Sequence, residues 1–394
     1  MTDSLYFINS GDSCSGCGAC IQVCPRDCIS MHADPDGFDR PSIDFSACVN
    51  CGACRKTCPY SKTSFHVGGR TAPLFYAARM SDRALRLGSA SGGIFRAFSG
   101  AVLRRGGAVA GVRFDPDFRA ELTTAETPEA RDEFCLSKYV QSRNERAYRD
   151  VKSFLEAGRP VLFSGAPCQV AGLYGFLGAD DENLFTVDFI CHGVPSPLVF
   201  TEYRKSLERR FSSPVKSLNF RDKSEGWAPM RLRVEFENGT VYSRTLTEDP
   251  YFRMFLSGGI SRPECYTCPY AKTLGRESDL TMGDAWRAEV LDPAWRDNTG
   301  VSTLLVNSPK GEALLEEAAG ELDFKVCEFS VIDQHYLHHP GILHPDRSDF
   351  FRTFHKKGIA AALDRYSGPR PLLRRLKTRF LKIIRQLRGK RNPQ

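Results

Sequence analysis

The chain has 394 residues and a formal net charge of +7, and 41% of its residues are hydrophobic and 26% charged. These values are typical of an ordinary water-soluble globular protein with two or three domains. No uncharged apolar run approaches the ~18 residues that a membrane-spanning helix needs, so the composition argues against such a helix.

Fifteen cysteines are the most informative part of the composition. The first ten residues show neither the basic nor the apolar region of a signal peptide, so we expect a cytoplasmic protein whose cysteines bind metal. The positive charge is concentrated in residues 370–391, which contain ten Lys and Arg and no acid. Removing those ten charges from +7 leaves −3, so the body of the chain gives no indication of nucleic-acid binding.

Two cysteine runs near the N-terminus share the spacing C-x2-C-x2-C-x3-C-P. The glycines and alanines inside each run let the backbone curl so that its N–H groups can point at sulfur, and Pro25 and Pro59 stop a helix from continuing. The segment resembles bacterial-type two-cluster ferredoxin domains, in which the fourth cysteine of each run binds the other cluster. The predicted ligands of the first [4Fe–4S] cluster are Cys14, Cys17, Cys20 and Cys58, and those of the second are Cys48, Cys51, Cys54 and Cys24.

Zinc and disulfides are the alternatives for these eight cysteines. A four-cysteine zinc site usually has two well-separated CxxC pairs, and a disulfide cannot easily join cysteines three residues apart. Cys28 is a ninth thiol in this segment, and we interpret it as a packed cysteine. We therefore expect an α+β ferredoxin-like two-cluster domain over residues 1–66, followed by a polar, glycine-containing linker.

Helix and strand patterns alternate after this linker. Strands are predicted at residues 73–80, 108–115, 160–163, 184–190, 278–286 and 301–307, and helices at 146–157, 170–177 and 311–320. Asn238-Gly239 predicts a hairpin turn within an antiparallel segment. Another helix is predicted to start at Ser91-Gly92-Gly93, which can bind an anion through free N–H groups or can be a plain helix cap. Lys138 by itself is most simply explained as a solvated side chain.

Four further cysteines lie in turns that contain Gly or Pro. Cys168 and Cys191 directly follow predicted strands, at the edge where open α/β sheets bind ligands, and a helix start near Cys168 favours the thiolate. Cys265 and Cys268 form a CxxC loop, which is also compatible with a redox dithiol or half of a zinc site. Each of the four is also compatible with a simple buried thiol. The remaining cysteines, interpreted as packed thiols, are Cys135 and Cys327.

Motifs between residues 91 and 286 resemble, in their order, the coenzyme F420 hydrogenase/dehydrogenase beta-subunit family. They are SGGIFRAF, SKYVQS, VLFSGAPCQVAGL, FICHGVPSP, FRDK, RPECYTCPYAK and SDLTMGDAW. The resemblance implies a larger mixed α/β flavin-binding domain over residues 74–345, with FAD and one [4Fe–4S] cluster. The implied cluster ligands are Cys168, Cys191, Cys265 and Cys268, and the implied flavin contacts are Ser91, Gly92, Gly93 and Lys138.

The resemblance also implies an oxidoreductase that passes electrons between iron–sulfur clusters and FAD to reduce or oxidise a small molecule or a deazaflavin-type cofactor. We expect the redox partner to be a ferredoxin, a reduced deazaflavin or a partner subunit. The chain has Ala166 where the family often has Thr, and Ala285-Trp286-Arg287 where it often has Phe-Trp-Gly, so the use of F420 itself is left open. His192 and Asp284 are candidate proton donors, with a satisfied polar residue in a turn as the alternative for each.

Two other functions remain open at this point: a non-catalytic electron-transfer subunit that serves a partner enzyme, and a cluster-binding regulatory protein without flavin. Residues 346–394 are predicted to form a C-terminal extension with a basic amphipathic helix at 371–390. An apolar stripe opposite a basic face is typical of an interfacial helix, so an anionic inner membrane surface is a predicted partner. A helix packed on an acidic partner, or a solvated end, is the alternative.

Overall fold

The computed structural model describes residues 13–61 and 72–368. The described helices are α1 (Ala19–Val23), α2 (Ala53–Lys56), α3 (Arg83–Leu87), α4 (Ile94–Arg104), α5 (Pro128–Asp132), α6 (Ala147–Glu156), α7 (Pro167–Leu177), α8 (Pro197–Phe211), α9 (Pro250–Leu256), α10 (Pro309–Ala318), α11 (Phe329–Ile332) and α12 (Arg347–Tyr366). The described strands are β1 (Ile29–Ala33), β2 (Asp39–Ile43), β3 (Leu74–Met80), β4 (Ala108–Phe114), β5 (Ala120–Ala125), β6 (Val161–Ser164), β7 (Leu184–Phe189), β8 (Val215–Asp222), β9 (Arg231–Phe236), β10 (Val241–Thr245), β11 (Leu280–Asp284), β12 (Ser302–Val306) and β13 (Leu322–Val326).

Both cysteine runs turn into a short helix through a glycine in the left-handed region. Gly18 (φ 82°) caps α1 and Gly52 (φ 72°) caps α2. A residue with a Cβ adopts this conformation only with strain, so the glycine in each C-G-A-C sequence is what lets the chain reverse between two cysteines. An antiparallel pair, β1 and β2, completes this ferredoxin-like unit.

The larger part of the chain is built on an eight-stranded sheet in the order β13-β3-β12-β11-β7-β6-β4-β5. The four central strands β11, β7, β6 and β4 run parallel, and the outer strands pair antiparallel on either side. The central strands are apolar and deeply buried, as expected for a parallel sheet covered on both faces. Their carboxyl ends therefore meet at one edge of the sheet.

A second sheet, in the order β10-β9-β8, is antiparallel, and its β9–β10 turn is the predicted Asn238-Gly239 hairpin. Helix α12 packs with this region, because Phe350 and Leu363 belong to the same hydrophobic core as Tyr251 on α9. The residues of α12 were assigned from sequence to a C-terminal extension, and the structure places them in the core. The predicted basic helix at 371–390 lies outside the described residues.

The fold confirms a ferredoxin-like domain followed by a mixed α/β domain with a large mixed sheet. The two parts are packed on each other, since Phe38 of the ferredoxin-like unit is fully buried in a core that also contains Val199 and Phe200 of α8. Within the ranges that the structure describes, no helix is long and apolar enough to cross a membrane.

Candidate functional site

The carboxyl edge of the parallel strands gathers the residues singled out from the sequence. Strand β6 leads through a short turn into α7, where Cys168 is the second helical residue. Strand β7 ends two residues before Cys191, and Asp284 is the last residue of β11. Because these three strands are adjacent and parallel, the side chains that follow them lie near one another.

Backbone hydrogen bonds bring the distant CxxC loop to the same place. The Arg262 N–H donates to the Val194 carbonyl at 2.9 Å, and Pro195 and Ser261 form an isolated antiparallel bridge. A Cβ on Gly193 would lie 3.1 Å from the Cys265 Cβ, so the loop after β7 and the CxxC loop are in direct contact. The four large-domain cysteines consequently line one cavity of about 350 Å³: Cys168, Cys191, Cys265 and Cys268.

One turn at this cavity repeats the turns of the two ferredoxin-type runs. In each, a backbone N–H donates to the sulfur of the cysteine two residues earlier, and the donor residue has a positive φ. The three N···S pairs are Gly16–Cys14 at 3.3 Å, Asn50–Cys48 at 3.4 Å and Gly193–Cys191 at 3.4 Å. N–H···S bonds of this kind stabilise a thiolate and tune a cluster that it binds.

Burial makes these thiols costly to ionise without a cation. Burial, followed by the neighbouring thiols, raises the pKa of Cys168 well above its ordinary value, and burial raises the pKa of Cys265 to about 12. Among the described residues, no three Cys, His, Asp or Glu side chains lie close enough together to hold a single metal ion. A cube of iron and sulfide spaces its thiolates more widely than one ion does, so buried thiols around a shared cavity are compatible with a cluster.

The ferredoxin-like unit has two smaller cavities, and each is lined by one predicted ligand set. The first cavity is lined by Cys14, Cys17, Cys20 and Cys58, and the second by Cys24, Cys48, Cys51 and Cys54; Cys54 also lines the first. These linings are compatible with the exchange of the fourth cysteine between the runs, which stays a prediction. Cys28 also lines the second cavity, with its sulfur 3.4 Å from that of Cys24, so it is closer to this site than its interpretation as a packed thiol implied.

The first ferredoxin cavity lies against the large-domain cavity. A Cβ on Gly172 of α7 would be 2.9 Å from the Cys17 sulfur, and Cys168 lies about one turn earlier on the same helix. Ser15 and Tyr60 line both cavities. The Tyr60 ring meets the Tyr270 ring edge-on with centroids 6.1 Å apart, and Tyr270 lines the large-domain cavity.

Most of the residues predicted to contact flavin or to donate protons line the large-domain cavity. These are Ser91, Gly93, Lys138, His192 and Asp284.

Gly92 does not line it. Its N–H donates to the Ser302 hydroxyl at 3.0 Å, and a Cβ there would be 2.5 Å from the Ala78 carbonyl oxygen. The absence of a side chain at Gly92 therefore lets its loop pack closely against β3 and β12. Because its N–H group is already bonded, the expected anion site at the start of α4 has one fewer free N–H group. Gly93, with φ 82°, is the N-cap of that helix.

Asp284 is held by Arg221, which sequence reasoning did not assign. The two Arg221 Nη atoms lie 2.9 Å from the two carboxylate oxygens, and Arg221 also donates to the Tyr139 hydroxyl at 3.0 Å. Burial raises the pKa of Asp284, but the Arg221 guanidinium outweighs burial and leaves that pKa below its ordinary value. The F-R-D-K sequence was the available signal, but nothing in it names a partner 63 residues away.

His192 and Lys138 are both shifted toward their neutral forms. Burial lowers the pKa of His192 to about 4, and its ring stacks on Tyr336 with centroids 4.0 Å apart. Burial lowers the pKa of Lys138 to about 8, and its ammonium donates to the Glu133 carbonyl. A neutral His192 beside an ionised Asp284 does not favour proton donation near neutral pH, so that role stays a prediction.

The two cysteines interpreted as packed thiols differ in surroundings. Cys327 is buried in a hydrophobic cluster with Leu305 and Ile332, whereas Cys135 is buried but lines the large-domain cavity. Trp286, also missed from the sequence, lines the cavity with 41% of its surface exposed and stacks on Trp227 with centroids 4.5 Å apart.

Comparison with known proteins agrees with this architecture. Residues 13–62 match the family model described as 4Fe-4S dicluster domain, and residues 158–330 match the model for the C terminus of the coenzyme F420 hydrogenase/dehydrogenase beta subunit. The matches define an iron–sulfur protein in which a two-cluster ferredoxin-type domain precedes a mixed α/β domain. The match over residues 158–330 agrees with the family that the motifs indicated.

A solved structure is also similar to this chain. It is a chain of the xenon-derivatised F420-reducing [NiFe] hydrogenase complex from Methanosarcina barkeri, with 18% sequence identity and a TM-score of 0.46. The alignment covers 76% of this chain and 92% of that chain. No curated protein matches the chain.

Proposed function

We propose that the chain is an iron–sulfur flavoprotein that carries electrons between two ferredoxin-type [4Fe–4S] clusters, a third [4Fe–4S] cluster and FAD, and so reduces or oxidises a small molecule. When bound, the clusters supply one-electron steps and the flavin supplies two-electron chemistry, so the pair converts between the two. The substrate class includes deazaflavin-type cofactors.

One observation carries the third cluster in this proposal. Cys191 and Gly193 repeat the N–H···S turn of both ferredoxin-type runs, in a cavity that three more cysteines also line. Cys168, Cys191, Cys265 and Cys268 would hold that cluster. A thiol that is expensive to ionise by itself becomes favourable to ionise next to iron, which is why burial here is compatible with a metal site.

The flavin proposal rests on the rest of the same cavity. Its volume of about 350 Å³ lies in the range of cofactor and ligand sites. Gly93 at the start of α4 and the Lys138 ammonium would hold phosphate groups, since a helix N-terminus and a cation both favour negative charge. Arg221 and Asp284 keep each other ionised at the wall of the cavity and so fix its polar side.

The contact between Cys17 and Gly172 supports an electron path from the ferredoxin-type domain into the large cavity. With no Cβ at residue 172, the ligand loop of the first predicted cluster approaches α7 within one turn of Cys168. Arg262 fixes the approach, because its fully buried guanidinium donates to the Cys14 carbonyl at 2.6 Å while its backbone leads into the CxxC loop. Arg262 thus contacts the loop of Cys14 and belongs to the segment that leads into the CxxC loop.

The test is cofactor content of anaerobically purified protein. We expect about twelve irons and one FAD per chain from three cubane clusters. Cys265→Ser should reduce iron to about eight per chain. Cys327→Ser is the matched control, since its thiol lies in a hydrophobic cluster, and it should leave iron unchanged. About eight irons in the unmodified protein would remove the third cluster, and the absence of a released yellow chromophore would remove the flavin.

A non-catalytic electron-transfer subunit is the second candidate function. It is favoured by Cys51, which is the only exposed cysteine among the fifteen, all of which lie in the described ranges. An exposed ligand loop suits electron exchange with another protein. Turnover of an electron acceptor by the isolated chain, without a partner enzyme, would reject this second function; loaded protein that never turns over without a partner would favour it.

A further inference from the structure

The surface around the second predicted cluster has features of a docking site. Phe45 and Val49 are 50% and 58% exposed, which is unusual for large apolar side chains. They flank Cys48 in sequence, and Val49 lines the second cavity together with Cys51. Apolar surface is therefore concentrated where this thiol set reaches solvent.

Positively charged residues adjoin the same cysteine loops. Arg26 lines the second cavity, and Arg55 and Lys56 end helix α2 immediately after Cys54; all three are exposed. Asp27 pairs with Arg149 at 2.6 Å, and Asp44 keeps its negative charge while it accepts bonds from the Ser46 backbone and hydroxyl, so the three cations outnumber the one carboxylate that has no cation partner among the described residues. We name the second-cluster face by its five residues: Arg26, Phe45, Val49, Arg55 and Lys56.

We propose that the second-cluster face docks a small acidic one-electron carrier protein. The proposal rests on the function proposed above, and it adds the surface and the charge of the partner. An apolar centre with a charged rim is the usual anatomy of a transient interface, and positive rim charge attracts an acidic carrier. Each encounter moves one electron, so the carrier is oxidised as the chain is reduced, and no atom is transferred.

The experiment uses the full-length, cluster-loaded chain and an acidic [2Fe–2S] ferredoxin as the probe. Arg55→Glu/Lys56→Glu should slow association about tenfold at low ionic strength. The difference should nearly vanish in 1 M salt, because the screening length falls from about 30 Å at 0.01 M to about 3 Å. Phe45→Ser/Val49→Ser should speed dissociation about tenfold with little dependence on salt, because rim charges act mainly on association and packed contacts on dissociation. Binding is measured by surface plasmon resonance, and cluster reduction by stopped-flow absorbance.

Arg209→Glu/Arg210→Glu is the matched charge control. Both arginines are exposed at the C-terminal end of α8, whereas Gly37 of the ferredoxin-like unit contacts Leu198 at its other end. About 11 residues separate Leu198 from Arg209, which is roughly 17 Å along the helix. Every variant must keep the iron content of the unmodified protein; should the double Glu variant lose iron, Arg55→Gln/Lys56→Gln replaces it.

Three results would overturn the docking proposal. The first is an unchanged association rate in Arg55→Glu/Lys56→Glu, and the second is an equal loss of association rate in the α8 control. The third is that the acidic ferredoxin does not bind unmodified protein whose clusters dithionite still reduces. Iron and FAD content of the same preparations report on the proposed function separately. If the docking test fails but the protein contains three clusters and FAD, only the docking proposal is rejected and the proposed function is not.

Discussion

Gly172→Ala tests the contact that joins the ferredoxin-type domain to α7. A Cβ at this position would lie 2.9 Å from the Cys17 sulfur and 2.9 Å from the Tyr148 hydroxyl oxygen. Tyr148 is fully buried and its hydroxyl donates to the Gln169 carbonyl at 2.7 Å, so it cannot move aside cheaply. Overpacking of this kind costs about 1–3 kcal/mol.

The higher helix propensity of Ala partly offsets this packing cost, since Ala in a helix interior is about 0.5–1 kcal/mol more stabilising than Gly. A control must therefore measure the propensity gain separately. Gly100 on α4 is the matched control: among the described residues, and apart from its own helix backbone, its added Cβ would approach only Arg104 Nη1 at 3.3 Å, the end of a flexible side chain. Gly100→Ala should therefore be stabilising by about 0.5–1 kcal/mol. The difference between the two variants isolates the packing cost of about 1–3 kcal/mol.

The assay is anaerobic thermal unfolding of the loaded protein at one scan rate, because loss of clusters makes unfolding irreversible. Each kcal/mol shifts Tm by about 2–4 °C in domains of 150–250 residues, so Gly172→Ala should melt several degrees below Gly100→Ala. Equal melting temperatures would show that Cys17 is not packed tightly against α7. The reasoning about a short path between the two ligand loops would then be refuted.

The remaining predictions concern the ion pair and the first ferredoxin-type cluster. Arg221→Met leaves the buried Asp284 carboxylate without its partner and should cost about 3–5 kcal/mol. Because the pKa of Asp284 is lowered in the native protein, its stabilising contribution is complete at neutral pH and is lost only as the pH falls through the ordinary carboxyl range toward the lowered pKa. Burial raises the pKa of Asp284 in the variant, so Tm of the variant should be higher at pH 5 than at pH 8. A variant whose Tm depends on pH in the same way as that of the unmodified protein would contradict this. Ser15→Ala removes a buried hydroxyl next to Cys17, where a hydrogen bond from that hydroxyl to the Cys17 sulfur would favour the thiolate. The substitution should lower the reduction potential of the first predicted cluster by about 40 mV, the one-electron equivalent of about 1 kcal/mol. The potential is measured by an EPR-monitored redox titration, with the second predicted cluster as the internal control. No shift, or an equal shift in both clusters, would reject the hydrogen bond.

Local patterns were sufficient for much of the fold. The strand predicted at 184–190 is Leu184–Phe189, and the predicted Asn238-Gly239 hairpin joins β9 and β10. Helix α12 was missed because Gly358 (φ 80°) interrupts it, so apolar residues before and after this glycine do not share one helical stripe. A regular period of apolar residues is visible only while the backbone keeps one geometry.

The twelve candidate cysteines fall into those that local sequence patterns could group and those that only the tertiary structure brings together. The two ferredoxin-type sets could be predicted from sequence, because their proposed ligands lie within one 45-residue segment whose spacing and glycines restrict how the chain can fold.

The meeting of Cys168 and Cys191 with the CxxC loop was decided by tertiary structure. It depends on β6, β7 and β11 being adjacent and parallel, and the order of strands in a sheet is set by packing over the whole domain. The partnership of Arg221 with Asp284 and the place of Cys17 against Gly172 have the same origin. Sequence alone determined which residues have the chemistry for metal binding; long-range packing decided which of them share a cavity, because contacts between distant segments leave no periodic trace in the chain.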